Sequence, residues 1–365
     1  LITQEDIGKI LQTYDEKSLM IGTIGSHSAL DICDGAKEEG LKTVVVCQRG
    51  REKTYLRYSR IISKTIILEK FSDMVNSDIQ EELRSLNVIF VANRSFSTYV
   101  GYDNIENRFL IPIFGSRSLL RSEERDVPRN QIYLLEQAGI RTPKSFKSPE
   151  EIDRLVIVKV PEARRKIERA FFYASSLKDY WNKAEVRINS GVISKDELEK
   201  ATIEEFVMGA KFNFNYFNSS IEKRLEFLGI DRRIQTDLDG ILSLPARDQL
   251  ELKSVVQNIE VGHEGATLRE SQLEKVYDIG EKFVDICKKE YPPGMIGPFA
   301  LQGAITRDLE ICIFDVSPRV PGSPIISTTS PYSKWYYGEN MTTGRRIARE
   351  VSNARRLKRL SEIVT

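Results

Sequence analysis

The sequence predicts an α/β protein: an amino-terminal parallel sheet covered by helices, followed by α+β carboxy-terminal lobes. Three observations predict it. Short apolar runs rich in β-branched residues alternate with helical segments through the first third, as in a β-α-β series whose strands are buried on both faces. From residue 155 the order changes to strand, polar loop, strand and then helices. Near the end, 297–305 and 309–317 read as two strands hinged at Thr306–Asp308, a hairpin.

The elements follow in order. LMIGTIG (19–25) is an apolar run closed by glycine. In SHSALDICDGAKEEG (26–40), Ala29, Leu30, Cys33 and Ala36 recur at helical spacing and Gly40 stops the helix. TVVVC (43–47) and TIIL (65–68) are buried strands, 77–86 is a helix, and NVIFVA (87–92) is a fourth strand. Open parallel sheets bind ligands beyond the carboxyl ends of their strands, which points to 25–28 and 93–98. The charged stretch SEERDVPRN (122–130) reads as a linker and sets domain limits at 1–125, 126–210 and 211–365.

Beyond it, 131–140 is a helix, and LVIVKV (155–160) and FFYA (171–174) are strands. Residues 180–191 and 194–201 are helical. TIEEFV (202–207) and KFNFNYF (211–217) are strands joined across Met208–Gly209, RLEFLGID (224–231) is another, and 271–290 is a helix. GRRIAREVSNARRLKRL (344–360) is a basic amphipathic helix, expected to show its charges to solvent or to a second subunit.

Composition excludes several classes. In 365 residues, 54 Lys and Arg face 53 Asp and Glu for a formal charge of +1, without the basic excess of a nucleic-acid binder. The hydrophobic share of 41% excludes a disordered or collagen-like chain. No apolar run reaches the roughly 18 residues of a membrane helix, and LITQEDIGKI is not read as a signal peptide. Cys33, Cys47, Cys287 and Cys312 are scattered in apolar segments and are expected as buried thiols of a cytoplasmic protein.

Several residues can carry chemistry. His27, in GSHS (25–28), follows the first strand and precedes a helix, where amide groups and the Ser26 and Ser28 hydroxyls suit a phosphate. A capping serine beside a bystander histidine is the alternative. Asn93, Arg94 and Ser95 lie at the second carboxyl edge and can share a polyanion pocket with the first loop. His263, in VGHEGATLRE, has no evident apparatus around it. Lys159 interrupts an apolar strand, so it needs an anionic partner or a route to solvent. Glu204 and Glu205 point to opposite faces of their strand. Gln302 and Asp315 fall within about two positions of direct pairing across the hairpin, either as an oxygen pair able to hold Mg²⁺ or as a solvent-facing pair. Asp231, Arg232 and Arg233 end a strand and either meet substrate or pair internally.

Taken with GTIGSHSAL (22–30), RSF (94–96), GYDNIEN (101–107), PIFGSRSLLRSE (112–123), IEEFVMG (203–209), LGIDRR (228–233), DGILSLPARDQ (239–249), PPGMIGPFALQ (292–302) and GRRIAREV (344–351), the chain resembles the archaeal formate-dependent synthetases that formylate aminoimidazole carboxamide ribonucleotide. The resemblance implies an ATP-grasp fold with an amino-terminal substrate-binding domain, use of ATP, Mg²⁺ and formate, formyl phosphate as intermediate, and a homo-oligomer. It implies that Gly25, Ser26, His27 and Ser95 bind the ribonucleotide beside Arg94, that Lys159 touches ATP phosphates, and that Glu204, Glu205, Phe206 and Val207 line the adenine and ribose pocket. Gln302 and Asp315 would hold Mg²⁺, with Asp231 and Arg233 near the reacting centre together with His27.

The chain departs from the family pattern at three places. PEARRKIERA (161–170) stands where the family has a glycine-rich phosphate loop, which leaves arginines such as Arg165 as the donors. DVSPRVPGSP (315–324) replaces a metal strand that usually begins with Glu. Asn93–Arg94 and Asn215 stand where histidine motifs are usual. These departures leave open a divergent ATP-grasp paralogue, either a ligase for another acid–amine pair or a non-catalytic nucleotide-binding or assembly protein.

Overall fold

A computed structural model describes residues 1–160, 171–252, 259–322 and 331–365. Its first sheet is parallel: β1 (Met20–Ile24), β2 (Lys42–Gln48), β3 (Lys64–Leu68), β4 (Val88–Val91) and β5 (Ile113–Phe114), in the order β3-β2-β1-β4-β5. Alternate side chains enter cores on opposite faces. Ile21, Ile89 and Val91 join one apolar cluster, and Met20, Ile24, Val88 and Phe90 the other. Gly22 sits where a Cβ would collide with Val88 Cγ1. The strand order reverses between β1 and β4, so their carboxyl ends flank the crevice that open sheets use for ligands.

The second sheet is antiparallel, β6 (Ser145–Phe146), β7 (Val156–Lys159), β8 (Phe171–Ala174) and β9 (Thr202–Glu205) in the order β6-β9-β7-β8. Tyr180 and Ala184 of the helix Leu177–Asn189 cover it. The third sheet, also antiparallel, runs β12-β11-β10-β13-β14. It comprises β10 (Ala210–Ser219), β11 (Arg224–Gln235), β12 (Glu260–Ala266), β13 (Gly297–Ile305) and β14 (Ile311–Ser317). The helix Leu273–Glu290 sends Val276, Phe283, Ile286 and Cys287 into its core. All four cysteines are buried and free. No helix among the described residues is long and apolar enough to cross a membrane.

The structure revises several local expectations. Residues 94–98, assigned no element from the sequence, open the helix Arg94–Val100, whose start the Asn93 side chain caps by accepting the Phe96 amide at 3.1 Å. Phe206 and Val207 lie beyond the end of β9. VGHEGA, read without structure, is most of the edge strand β12. Its two glycines and its charges hide it from propensity.

The basic helix, Thr343–Arg356, is the largest correction. Arg345, Arg346 and Arg349 turn to partners within the chain, while Arg356 in the last turn stays exposed to solvent. Arg346 is fully buried, with Glu226 at 2.8 and 3.0 Å and Glu350 at 2.9 Å. Arg345 and Arg349 reach Glu39 at 2.8 and 2.7 Å. The helix crosses the helix Ala29–Glu38 at two glycines. A Cβ on Gly35 would meet the backbone of Arg345, and one on Gly344 the backbone of Asp31. Residues beyond it reach the first sheet, where Val364 bridges Phe114.

Candidate functional site

The loops after β1 and β4 are tied to each other. Gly25 extends β1, its amide bonding Val46 O at 2.6 Å, and a Cβ there would press on Cys47 Sγ and the Tyr55 ring. Ser26 and Ser95 share a hydrogen bond of 2.6 Å between their hydroxyls. Asn93 Nδ2 donates to Ile24 O at 3.3 Å and to His27 O at 2.9 Å. Ser28, with φ of 69°, donates its hydroxyl to Pro321 O at 2.7 Å. His27 projects from this knot, exposed, with its Nε2 against Gly322, where no Cβ fits. The surrounding protein and the neighbouring His263 lower its pKa.

Arg94 turns away from these hydroxyls. Its Nη1 donates to Tyr102 Oη and Glu124 at 3.1 Å each, with Glu123 at 3.4 Å. Arg319, whose charge acts on His27, is held by Glu123 at 2.7 Å.

A second cluster spans the two carboxy-terminal sheets. Lys159 pairs with Glu204 across β7 and β9. Burial is the main cause of its lowered pKa, which Glu204 opposes. Arg125 donates to Glu204 at 2.9 Å and to the Phe314 carbonyl at 2.9 Å, with Asp315 at 4.0 Å. That carbonyl is free because a bulge in β14 offsets the ladder between Gln302 and Gly303. Glu205 takes the opposite face, near the Lys144 amide and Arg154. The Phe206 amide bonds Leu155 O at 2.9 Å and its ring meets Tyr173 edge-on, while Val207 is buried. Arg165, the basic run around it and Pro324 lie outside the described residues.

Gln302 and Asp315 are direct partners across β13 and β14. Gln302 Oε1 accepts from Arg233 at 2.6 Å, so its oxygen is engaged. Asp315 is half-buried and faces Arg125 and Lys159. Of the pair, Asp315 alone offers an oxygen not already taken up by Arg233, and it meets the Arg125 and Lys159 cations.

Asp231 is fully buried, taking 2.6 and 2.7 Å bonds from the Asn213 and Asn215 amides and lying 2.7 Å from His263 Nδ1. It therefore meets the pocket only through these neighbours. His263, absent from the sequence-based set, is the residue it positions. Burial lowers the His263 pKa, but Asp231 and Glu260 outweigh that and lift it to about 9. Arg233 reaches Glu260 at 2.9 Å. The only available signal for His263 was rarity, since the chain has 2 histidines. Arg125 and Arg319 had none.

Two family models match, a protein of unknown function (DUF1246) at residues 21–146 and a domain of unknown function (DUF1297) at 179–365. Among curated relatives, the 5-formaminoimidazole-4-carboxamide-1-(beta)-D-ribofuranosyl 5'-monophosphate synthetase of Methanopyrus kandleri is 45% identical over 366 residues, covering 100% of both chains. Its counterpart of the same name from Methanothermobacter thermautotrophicus is 42% identical over 100% of this chain and 99% of its own. The chain belongs to this synthetase family. A solved structure of an IMP biosynthesis protein PurP from Thermococcus kodakaraensis is similar to it with TM-score 0.72 and 30% identity, covering 94% of this chain and 100% of that one. An ADP complex of purK, N5-carboxyaminoimidazole ribonucleotide synthetase, matches at TM-score 0.61 and 14% identity over 92% and 77%, a likeness of fold alone. The fold of this synthetase family member is ATP-grasp, preceded by its parallel-sheet domain.

Proposed function

We propose that the chain is an ATP-dependent carbon–nitrogen ligase that formylates aminoimidazole carboxamide ribonucleotide with formate, a step of purine biosynthesis. The full-length identity of 45% to a synthetase of that product carries the reading, and it favours the synthetase over a divergent paralogue. In this reading the Ser26 and Ser95 hydroxyls, the Gly25 turn and His27 receive the ribonucleotide phosphate. Arg94, already neutralised by Glu123 and Glu124, shapes that loop from behind.

Lys159 and Arg125 are the cations placed for ATP phosphates, Glu204 being the carboxylate they exchange for phosphate oxygens. Phe206 and Val207, with Glu205 behind them, are assigned to the nucleoside. Asp315, and Gln302 once freed, would hold Mg²⁺, which when bound supplies charge neutralisation to the transferring phosphoryl group. Arg233 lies beside Gln302 and is positioned for the same developing charge. Asp231 orients His263. Formate, ATP and the ribonucleotide are the small-molecule partners. A cytoplasmic location and self-association belong to the same reading.

The test is release of ADP and phosphate by the purified chain. Release should require formate and the ribonucleotide together, with the formamido nucleotide as product. ATP turnover that is indifferent to formate overturns the reading.

A further inference from the structure

Both histidines of the chain converge on one point, although they stand in different domains. Their ring centroids are 5.8 Å apart. Glu260 joins them, and one ligand atom from each of His27, Glu260 and His263 lies within 4.8 Å of the others. We propose that these three residues form a transition-metal site of the zinc class, with a fourth coordination position left for solvent or a small ligand. It shares His27 with the proposed ribonucleotide site but is argued from this geometry alone.

The surroundings are those of a built site. His263 Nδ1 is engaged by Asp231 Oδ2 at 2.7 Å, which fixes the tautomer and aims Nε2 outward. A carboxylate behind a ligating imidazole is the usual support of a metal-bound histidine. Asp231 is itself held by Asn213 and Asn215. The His263 side chain is only 8% exposed, and its Nε2 lies 2.8 Å from Glu260 Oε1 without hydrogen-bond geometry. It is a buried nitrogen that faces the Glu260 carboxylate, with a ligand atom of His27 within 4.8 Å. Glu260 is supported in the same way. Its Oε2 meets Arg233 Nε at 2.9 Å, which leaves Oε1 as the donor.

The backbone also serves this convergence. Glu260 and His263 are three residues apart, a spacing that puts them on opposite faces of a regular strand. Glu260 pairs with Gln235 and Gly262 with Ile234, so Val261 is an extra residue. That bulge re-phases the strand and brings both side chains to one face. Arg233 and Arg319 stand near, but Glu260 and Gln302 occupy the first and Glu123 the second.

Two imidazoles and one carboxylate suit Zn²⁺, Co²⁺ or Ni²⁺ and not Mg²⁺, which prefers oxygen alone. Three protein ligands with one open position match the pattern of metal centres that hold water or substrate.

The test uses the whole chain, stripped with chelator and dialysed against Co²⁺. One equivalent should bind, with the intense visible bands of four-coordinate cobalt and no thiolate charge-transfer band. His263→Asn, His27→Gln and Glu260→Gln should each weaken binding at least tenfold, and Asp231→Asn by about 10–100-fold. Glu260 lies on an edge strand, so E260Q keeps the test decisive if replacing buried Asp231 disturbs folding. Thermal melting of the metal-free variants reports that separately. Less than half an equivalent in the parent chain, a thiolate band, or undiminished binding by E260Q and H263N overturns the site.

Discussion

Asp31 lies buried on the helix Ala29–Glu38, its Oδ2 accepting the Gly344 amide at 2.9 Å. Burial outweighs that bond and the one from Thr342, and lifts its pKa to about 6 from 3.8. The folded state therefore holds this proton more tightly than the unfolded chain. The associated stability is fully present below about pH 4 and is lost as pH rises through about 6. The shift corresponds to something on the order of 3 kcal/mol. Asp31→Asn should accordingly raise stability at pH 8 and bring little at pH 4, as read by urea melts across that range. A pH-independent difference would assign Asp31 a different role. At the second cluster, Lys159→Met should weaken ATP binding at least tenfold in calorimetry while Arg125 still neutralises Glu204. Unchanged affinity removes Lys159 from the phosphate site. Lys159 was legible in the sequence because a charge inside an apolar strand needs an explanation. His263 was not, because its partners come from a neighbouring strand and a bulge, and neither leaves a mark in the local pattern.

Among the elements, the strands of the first sheet were readable because burial on both faces leaves continuous apolar runs. Val44, Val45 and Val46 are all fully buried. The helix Thr343–Arg356 was readable as a helix but not in its surroundings. Amphipathic charge normally marks a wet face, and here Arg346 lies over the Phe217 ring at 4.2 Å with the Glu226 and Glu350 carboxylates bonded to it and Glu222 at 3.8 Å. A buried arginine of this kind is tolerated only when each donor is matched. Glycine sets how closely this helix approaches. Gly344→Ala would drive a methyl into the Asp31 carbonyl, which is backbone and cannot rotate aside. The cost should reach about 3 kcal/mol or partly undock the helix, seen as a lower melting temperature and faster amide exchange over 29–38. A variant as stable as the parent would show that the two helices separate without loss.

For the whole molecule, the carboxy-terminal residues hold the amino-terminal domain together. Ile113 and Thr365 exchange backbone bonds of 3.1 and 2.9 Å, and Gly115 donates to Ile363 O at 3.1 Å. Buried Arg117 gathers the carbonyls of Ile105, Phe109, Ile111 and Thr365 at 2.6 to 2.9 Å. Ile363 and Val364 are fully buried in the core that also takes Ile21 and Ile89. Deleting 361–365 should therefore cost roughly 3–6 kcal/mol, from two apolar side chains at 1.5–3 kcal/mol each. It should also expose the first sheet to protease. Retention of the parent melting temperature would rule out that role. This pairing was invisible in the sequence, since three residues carry no periodicity and their partners are far away.

That pairing also gives the chain a timetable. Thr365 donates its hydroxyl to Gly115 O at 3.0 Å across 250 residues. At a synthesis rate of roughly 5–20 residues per second, the first domain leaves the ribosome about 12–50 s before the segment that seals its edge. During that interval Phe114 lies on a sheet margin that Val364 has yet to reach.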